Sequence, residues 1–233
     1  MSRARRLERF GHLPKLDPQV SVLPVAQAMM WRLMADIPEA FVLYGGTALA
    51  LRTGHRQSAD FDFFSSETFR PTGLLEQLRW LGRVTIDEAT PDNLRVTTAD
   101  GVHLSFLGGL TLQSVAEPSV VQENGVVVAS IFDLGGTTTK SILDRSEWKD
   151  YFDIATLLRA GLALPEIIGY ATTIFEPMFD FPAAVFLRSL AWFDDGTVPD
   201  LSAIMRRELT TAVARAAHST IPVVRPYSTS ILP

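Results

Sequence analysis

Residues 45–64 read GGTALALRTGHRQSADFDFF, and this segment is the most informative about the fold. Two glycines open it directly after the apolar segment 41–44, and an alanine- and leucine-rich run follows. Glycines after a strand let backbone N–H groups approach an anion, and a following helix N-terminus adds a positive dipole end. The pattern predicts a buried strand, a phosphate-binding turn at Gly45 and Gly46, and a short helix that is capped by Thr47.

The end of this stretch places two carboxylates close together. Asp60 and Asp62 alternate with Phe61 and Phe63, so in a strand both carboxylates project from one face while the rings enter the core. Like charges this close repel each other, and a cation between them stabilises the ionised pair. Mg²⁺ prefers oxygen ligands and often completes its shell with substrate phosphates. We therefore predict that Asp60 and Asp62 are catalytic residues that bind Mg²⁺ together with a nucleotide.

A polar link joins the predicted helix to the carboxylates. His55 and Arg56 lie on it, and Gly54 suits the left-handed position after the helix. Both side chains could reach a triphosphate, and an exposed loop pair explains them equally well. A lone Asp-x-Asp is more often a solvated strand face, but its combination with the upstream glycines favours a nucleotide site.

Composition limits the other possibilities. The chain has 233 residues, a formal net charge of −5, a pI near 5.4 and no cysteine. These values argue against a broad basic surface for nucleic acid, a disulfide framework and a thiolate zinc site. No apolar stretch approaches the length of a membrane span, and we expect a cytoplasmic protein. Arg3, Arg5, Arg6 and Arg9 precede no signal-peptide pattern, so residues 1–24 are interpreted as an exposed basic arm.

The remaining pattern divides the chain near residue 130. Apolar spacing predicts a core-packed helix over Val25–Ile37 and another helix over 74–81. Strands are expected at 84–86, 94–97 and 102–106, with hairpin turns at Asp100-Gly101 and Asn124-Gly125. Beyond Asp133, helical spacing dominates. We predict an α+β fold, with an α/β domain at 25–130 and a helical C-terminal domain at 131–233.

Two segments carry a family resemblance. The first is Gly45–Leu51 with Gly54-His55-Arg56, Ser58 and 60–64. The second comprises Asp133-Leu134, Arg145, Lys149-Asp150-Tyr151, Asp153-Ile154 and Leu157-Leu158. Together they resemble the two motifs of the AbiEii/AbiGii toxin-type nucleotidyltransferases, in the DNA polymerase β-like nucleotidyltransferase superfamily. The resemblance covers about residues 25 to 215.

This resemblance implies a nucleotidyltransferase-like mixed sheet with flanking helices, followed by helices. It also implies transfer of a nucleoside monophosphate from an NTP to an RNA (tRNA) or protein acceptor, in a toxin–antitoxin or phage-defence system with a cognate antitoxin. The implied nucleotide-binding residues are Gly45, Gly46, Thr47, Arg56 and Ser58, and the implied catalytic residues include Lys140 and Asp150 beside Asp60 and Asp62.

Two positions depart from the family pattern. Ser105 stands where a third carboxylate is usual, and Thr138 stands where the second motif has a lysine, with Lys140 two residues later. On a helix two residues correspond to about 200°, so Lys140 faces another direction unless the helix begins differently. A nucleotidyltransferase fold that binds a nucleotide or a protein partner without turnover is therefore the alternative.

Other functions with an Asp-x-Asp motif fit less well. A haloacid-type phosphatase has its first aspartate at the end of a hydrophobic strand, whereas Arg56-Gln57-Ser58-Ala59 precede Asp60 here. Glycosyltransferases lack the preceding Gly-Gly helix. His103 could act near Ser105, although a single histidine on a strand is usually structural.

Overall fold

The fold contains one mixed β-sheet, seen in a computed structural model that describes residues 3–232. Its strand order is β1-β7-β8-β2-β3-β6-β5-β4. The pairs β1–β7, β2–β8 and β3–β6 are parallel and the others are antiparallel. The strands are β1 Lys15–Leu16, β2 Val42–Tyr44, β3 Phe61–Phe64, β4 Val84–Thr90, β5 Asn93–Thr98, β6 His103–Leu107, β7 Ser119–Val121 and β8 Val127–Val128.

Helices accompany the sheet and then dominate the later part of the chain. They are α1 Arg3–Phe10, α2 Val25–Leu33, α3 Gly45–Thr53, α4 Pro71–Gln77, α5 Ile131–Asp144, α6 Trp148–Arg159, α7 Leu164–Phe175, α8 Ala183–Leu190 and α9 Ala203–Ala216. A mixed sheet with helices, followed by a helical segment, confirms the predicted fold class.

The chain forms two compact units. The first contains the described residues up to Thr111, then 117–130, and the described residues from Ser228. The second contains 112–116 and 131–227. All eight strands belong to the first unit, and α5 to α9 belong to the second.

The central strands have one buried and one open face. Leu43, Phe63, Phe106 and Leu94 are successive cross-strand partners, and all are fully buried. In β3, β5 and β6 their neighbours along the strand are half-buried or exposed, whereas all three residues of β2 are buried. The alternation arises because successive side chains point to opposite faces of a strand. The open face is therefore the part of the sheet that can carry polar chemistry.

Both predicted hairpins are confirmed. β5 and β6 are antiparallel around Gly101, whose φ is +76°, and β7 and β8 are antiparallel around Gly125, whose φ is +74°. Glycine adopts such angles without the steric cost that a Cβ would bring. The turn residues thus fix the order of these strands in the sheet.

Helix α2 departs from the prediction in length and in the face that it buries. It ends at Leu33, and residues 34–36 continue as a 3₁₀ turn. Val25, Met29 and Leu33 are 80%, 69% and 56% exposed, whereas Met30 and Met34 are buried. The expectation that the whole apolar set packs into the core is therefore wrong. One stripe of α2 faces solvent within the described chain.

The expectation of an exposed basic arm is wrong for Arg6. This residue lies in α1 and is fully buried. Its guanidinium donates to the carbonyl oxygen of Gly125 at 2.9 Å and to that of Ile37. Burial lowers the pKa of Arg6 to about 10. Arg6 therefore ties α1 to the sheet unit through backbone carbonyls.

The second unit is built around close helix contacts. A Cβ at Gly136 of α5 would lie 2.5 Å from Ile174 Cδ1 and 3.1 Å from the backbone nitrogen of Ala171, so α5 and α7 approach closely here. None of the individual helices described in residues 3–232 has both the length and the hydropathy of a membrane span.

Candidate active site

The end of β2 and the start of α3 form a turn against Asp62. Gly45 has a φ of +71°, in the left-handed region that favours glycine. A Cβ at this position would lie 2.5 Å from Asp62 Oδ2. Tyr44, the last residue of β2, is the ladder partner of Asp62. The absent side chain of Gly45 therefore leaves the room in which the Asp62 carboxylate lies beside the first turn of α3.

The predicted alternation around the two carboxylates is confirmed. Phe61 and Phe63 are fully buried, Asp62 is half-buried, and Asp60 is exposed. Asp62 lies on the open face of β3, and Asp60 directly precedes this strand. No group of three or more histidine, aspartate or glutamate side chains in the described chain is arranged as a metal site. Asp60 and Asp62 offer two carboxylates, and their role with Mg²⁺ stays a prediction.

Thr47 and Ser58 hold the link that leads to Asp60. The Thr47 hydroxyl donates to the carbonyl oxygen of Asp60, and its oxygen lies 2.8 Å from Ser58 Oγ. Thr47 is 1% exposed. It is the third residue of α3 and makes no cap for that helix, because α3 begins at Gly45 and its N-cap position is Tyr44. The expected capping role is therefore wrong, and Thr47 instead fixes the backbone before β3.

The basic residues of the link are half-buried. His55 Nδ1 lies 2.7 Å from the Thr53 hydroxyl oxygen, which itself donates to the Leu49 carbonyl. The Arg56 guanidinium donates to the carbonyl oxygen of Gln57 at 3.0 Å. These contacts hold the link locally. Nucleotide binding by Gly46, Arg56 and Ser58 stays a prediction.

Ser105 occupies the position next to Asp62 on β6. The register pairs Asp62 with Ser105 across β3 and β6, and Ser105 with Arg95 across β6 and β5. Arg95 in turn contacts Glu88, with 3.6 Å between Nε and Oε2. The sheet position beside Asp62 thus carries a hydroxyl group. The family pattern usually has its third carboxylate at this position, next to the other two.

Two further candidates, Lys140 and Asp150, belong to the second unit, where each forms an ion pair. Lys140 pairs with Asp144 one turn along α5. Asp150 is 4% exposed and accepts two hydrogen bonds from Arg145, at 3.0 and 3.1 Å. Burial raises the pKa of Asp150, and Arg145 opposes this effect. The catalytic roles of Lys140 and Asp150 stay predictions.

A hydrogen-bonded row on the open face was not predicted from the sequence. Asp87 accepts a hydrogen bond of 2.6 Å from the Thr97 hydroxyl, and Thr97 Oγ1 lies 2.9 Å from His103 Nδ1. These residues come from β4, β5 and β6. Only the alternation of β5 and β6 could have signalled the row, since both Thr97 and His103 fall on the polar side of their strands.

A cavity of about 700 Å³ lies elsewhere, in the second unit. It is bordered by the α6–α7 turn and by α9, and none of the predicted site residues lines it. The cavity therefore contributes nothing to the predicted site.

Comparison with known proteins identifies the family. The model of the family described as nucleotidyl transferase AbiEii toxin, type IV TA system, matches residues 32–221. An uncharacterized protein of Aquifex aeolicus (strain VF5) is 30% identical over 158 residues, which cover 66% of this chain and 74% of that protein. The solved structure of MenT4, a nucleotidyltransferase toxin of Mycobacterium tuberculosis H37Rv, is 14% identical. The match covers 93% of this chain and 99% of the MenT4 chain, with a TM-score of 0.41. Because the family model spans most of the sequence, this chain belongs to the AbiEii family of nucleotidyl transferase toxins.

Proposed function

We propose that this protein transfers a nucleoside monophosphate from an NTP to an RNA or protein acceptor, and that it acts as the toxin of a toxin–antitoxin pair. The family supports nucleotidyl transfer and a cognate antitoxin. The main support from this chain is that Asp62, on the open face of the sheet, packs against Gly45 at the start of α3. A cytoplasmic location is part of the proposal.

The residues present fit a divalent cation. Asp62 lies on the open face of β3 and exposed Asp60 directly precedes that strand, and Mg²⁺ commonly takes one or two carboxylates together with waters and substrate phosphates. These two residues would hold the ion, which supplies charge stabilisation to the phosphate oxygens. The first backbone N–H groups of α3 have no partner within the helix, so they can donate to the same phosphates.

The transfer step is a substitution at the α-phosphorus. An acceptor oxygen bonds to the α-phosphorus, the bond from that phosphorus to the bridging oxygen breaks, and pyrophosphate leaves. Asp62 and the turn at Gly45 orient the phosphates, and Arg56 is the nearby cation of the link that we assign to them. Catalysis in such reactions rests mainly on positioning and charge stabilisation.

A second candidate function is nucleotide or partner binding without turnover. It is favoured by Ser105, which stands beside Asp62 where a carboxylate would strengthen metal binding. It is also favoured by Thr138, whose hydroxyl donates to the Leu134 carbonyl within α5. The proposal of an active enzyme, by contrast, assigns Lys140 a contact with the phosphates and Asp150 the role of a site-facing acid.

The test uses NTPs labelled at either the α- or the γ-phosphate, incubated with Mg²⁺ and total RNA or total protein. Nucleotidyl transfer moves the α-label to the acceptor and releases the γ-label as pyrophosphate. Asp62→Asn should abolish transfer, whereas Asp100→Asn, at an exposed turn carboxylate of the same unit, should not. Transfer that survives Asp62→Asn contradicts the assigned site.

One further variant separates the two candidate functions. Ser105→Asp should raise transfer, by up to about 10²–10³-fold if the carboxylate adds one transition-state contact. Calorimetry with NTP and Mg²⁺ measures binding independently. Binding without transfer in both the natural protein and Ser105→Asp would favour the binding function.

A further inference from the structure

A β-bulge next to the candidate site redirects a carboxylate. In the β4–β5 ladder Ile86 pairs with Val96 and Glu88 pairs with Arg95, which leaves Asp87 without a ladder partner. Bulges of this kind re-aim a side chain and are common beside active sites. The Asp87 carboxylate accepts the Thr97 hydroxyl proton at 2.6 Å. The bulge therefore turns an edge-strand carboxylate toward the open face.

This contact fixes the tautomer of His103. Thr97 and His103 are direct partners in the β5–β6 ladder, and Thr97 Oγ1 lies 2.9 Å from His103 Nδ1. The hydroxyl has a single proton, which Asp87 accepts, so the Thr97 oxygen must accept a hydrogen bond from Nδ1–H. The neutral imidazole then carries its lone pair on Nε2. His103 is exposed, so this nitrogen can meet a substrate.

The row ends beside the two carboxylates. β6 is parallel to β3, with Phe61 opposite Leu104 and Asp62 opposite Ser105. His103 is the first residue of β6 and directly precedes Leu104, and neighbouring strands lie about 4.8 Å apart. His103 and Ser105 share one face of β6 because they are two residues apart. The imidazole is therefore the next side chain on this face of β6 from Ser105, where the family pattern has its third carboxylate.

We propose that His103 is the proton acceptor of the transfer reaction, with Thr97 and Asp87 as positioning residues. This inference rests on the proposed function. As the acceptor oxygen bonds to the α-phosphorus, its proton passes to His103 Nε2, and the electrons of the broken P–O bond leave with pyrophosphate. Asp150 is a poorer acceptor for that proton because both of its oxygens bind Arg145 and it is almost fully buried.

Kinetics of substituted proteins test the role. His103→Ala should lower kcat at least about 100-fold, as expected for a lost general base, with little change in NTP binding. Added imidazole should restore part of the rate of this variant. Thr97→Val keeps the shape of the side chain but removes the hydrogen bond that orients His103. It should lower kcat about 10-fold, and imidazole should not restore the rate. His12→Gln and Thr90→Val alter exposed residues of the same unit and serve as controls.

A spectroscopic measurement tests the geometry without catalysis. Nitrogen NMR of the imidazole rings should show the Nδ1–H tautomer for His103 in the natural protein, and Thr97→Val should remove this preference. If the natural protein transfers label but His103→Ala is equally active, or if His103 is the Nε2–H tautomer, the inference is wrong while the proposed function stands. If the natural protein transfers no label to any acceptor, the proposed function itself fails, and this inference fails with it.

Discussion

Replacing Gly45 with alanine should damage the site more than the fold. Gly45 has a φ of +71°, and an L-residue in that conformation costs about 1–2 kcal/mol. The added methyl carbon would also lie 2.5 Å from Asp62 Oδ2, a separation below the 3.0 Å that real Cβ contacts keep. The carboxylate must therefore move by about half an ångström or more to relieve the contact.

These two effects have different sizes in different assays. For a chain of this length each kcal/mol of destabilisation lowers Tm by about 2–4 °C, so Gly45→Ala should lower Tm by about 2–8 °C. A misplacement of 1 Å in a catalytic group costs about 100-fold in rate, so the smaller shift of Asp62 should cost about 10- to 100-fold in label transfer.

Gly54 provides a matched control. Its φ of +69° brings the same backbone strain, but the nearest atom to an added Cβ is Gln19 Cγ at 3.5 Å, an ordinary contact. Gly54→Ala should therefore lower Tm by a similar amount and leave transfer nearly unchanged. Equal losses of transfer in the two variants, or a Gly45→Ala protein that is less stable but fully active, would refute the argument that Gly45 makes room for Asp62.

Four other substitutions test the second unit. Lys140→Ala should lower label transfer by about 100-fold if Lys140 reaches the phosphates. Lys140 can leave Asp144 for this contact because an exposed i,i+4 ion pair contributes only about 0.3–0.5 kcal/mol. Unchanged transfer would mean that Lys140 only forms the ion pair with Asp144. Asp150→Ala should lower the free energy of unfolding by about 2 kcal/mol through the loss of the two hydrogen bonds from Arg145, and Arg145→Ala should match it in urea titration. Burial, Asp195 and Asp150 raise the pKa of Tyr151 from 10.0 to about 12, so its stabilising effect is complete below pH 10 and is lost as pH rises through 12. The difference in urea midpoint between the natural protein and Tyr151→Phe should therefore be smaller at pH 11.5 than at pH 9. An equal difference at the two pH values would contradict this assignment.

Local signals predicted the strands around the candidate site and the two hairpins. Turn glycines and strict alternation determined both hairpins and the two faces of β3, because these features depend on neighbouring residues. Gly45 and Asp62 both lie within residues 45–64, although the residue order could not show that a Cβ at Gly45 would lie 2.5 Å from Asp62 Oδ2. The residues of the proposed site could therefore be selected from the sequence, whereas their packing could not.

Features that depend on distant partners were missed. The periodicity of α2 marked a helix but could not tell which apolar stripe would meet the core, and Val25, Met29 and Leu33 remain exposed. Arg6 donates to carbonyls that are 31 and 119 residues away in the chain, and it is buried although arginine is usually exposed. The Asp87–Thr97–His103 row required the bulge, which shifts the register in a way that composition does not encode.

The order in which the chain enters its two units makes the second unit an insertion rather than an appendage. Residues 112–116 leave the first unit between β6 and β7, and Ser228 returns to it after the last helix. Ile231 is 1% exposed, and its N–H donates to Ser66 Oγ at 3.1 Å. During synthesis from the N-terminus, the sheet unit therefore waits for its last buried side chain until about a hundred later residues have been made. A fragment that contains only the sheet unit cannot be obtained by a stop codon after Ser130; it needs two excisions, with new joints that carry Ile231 back to Ser66.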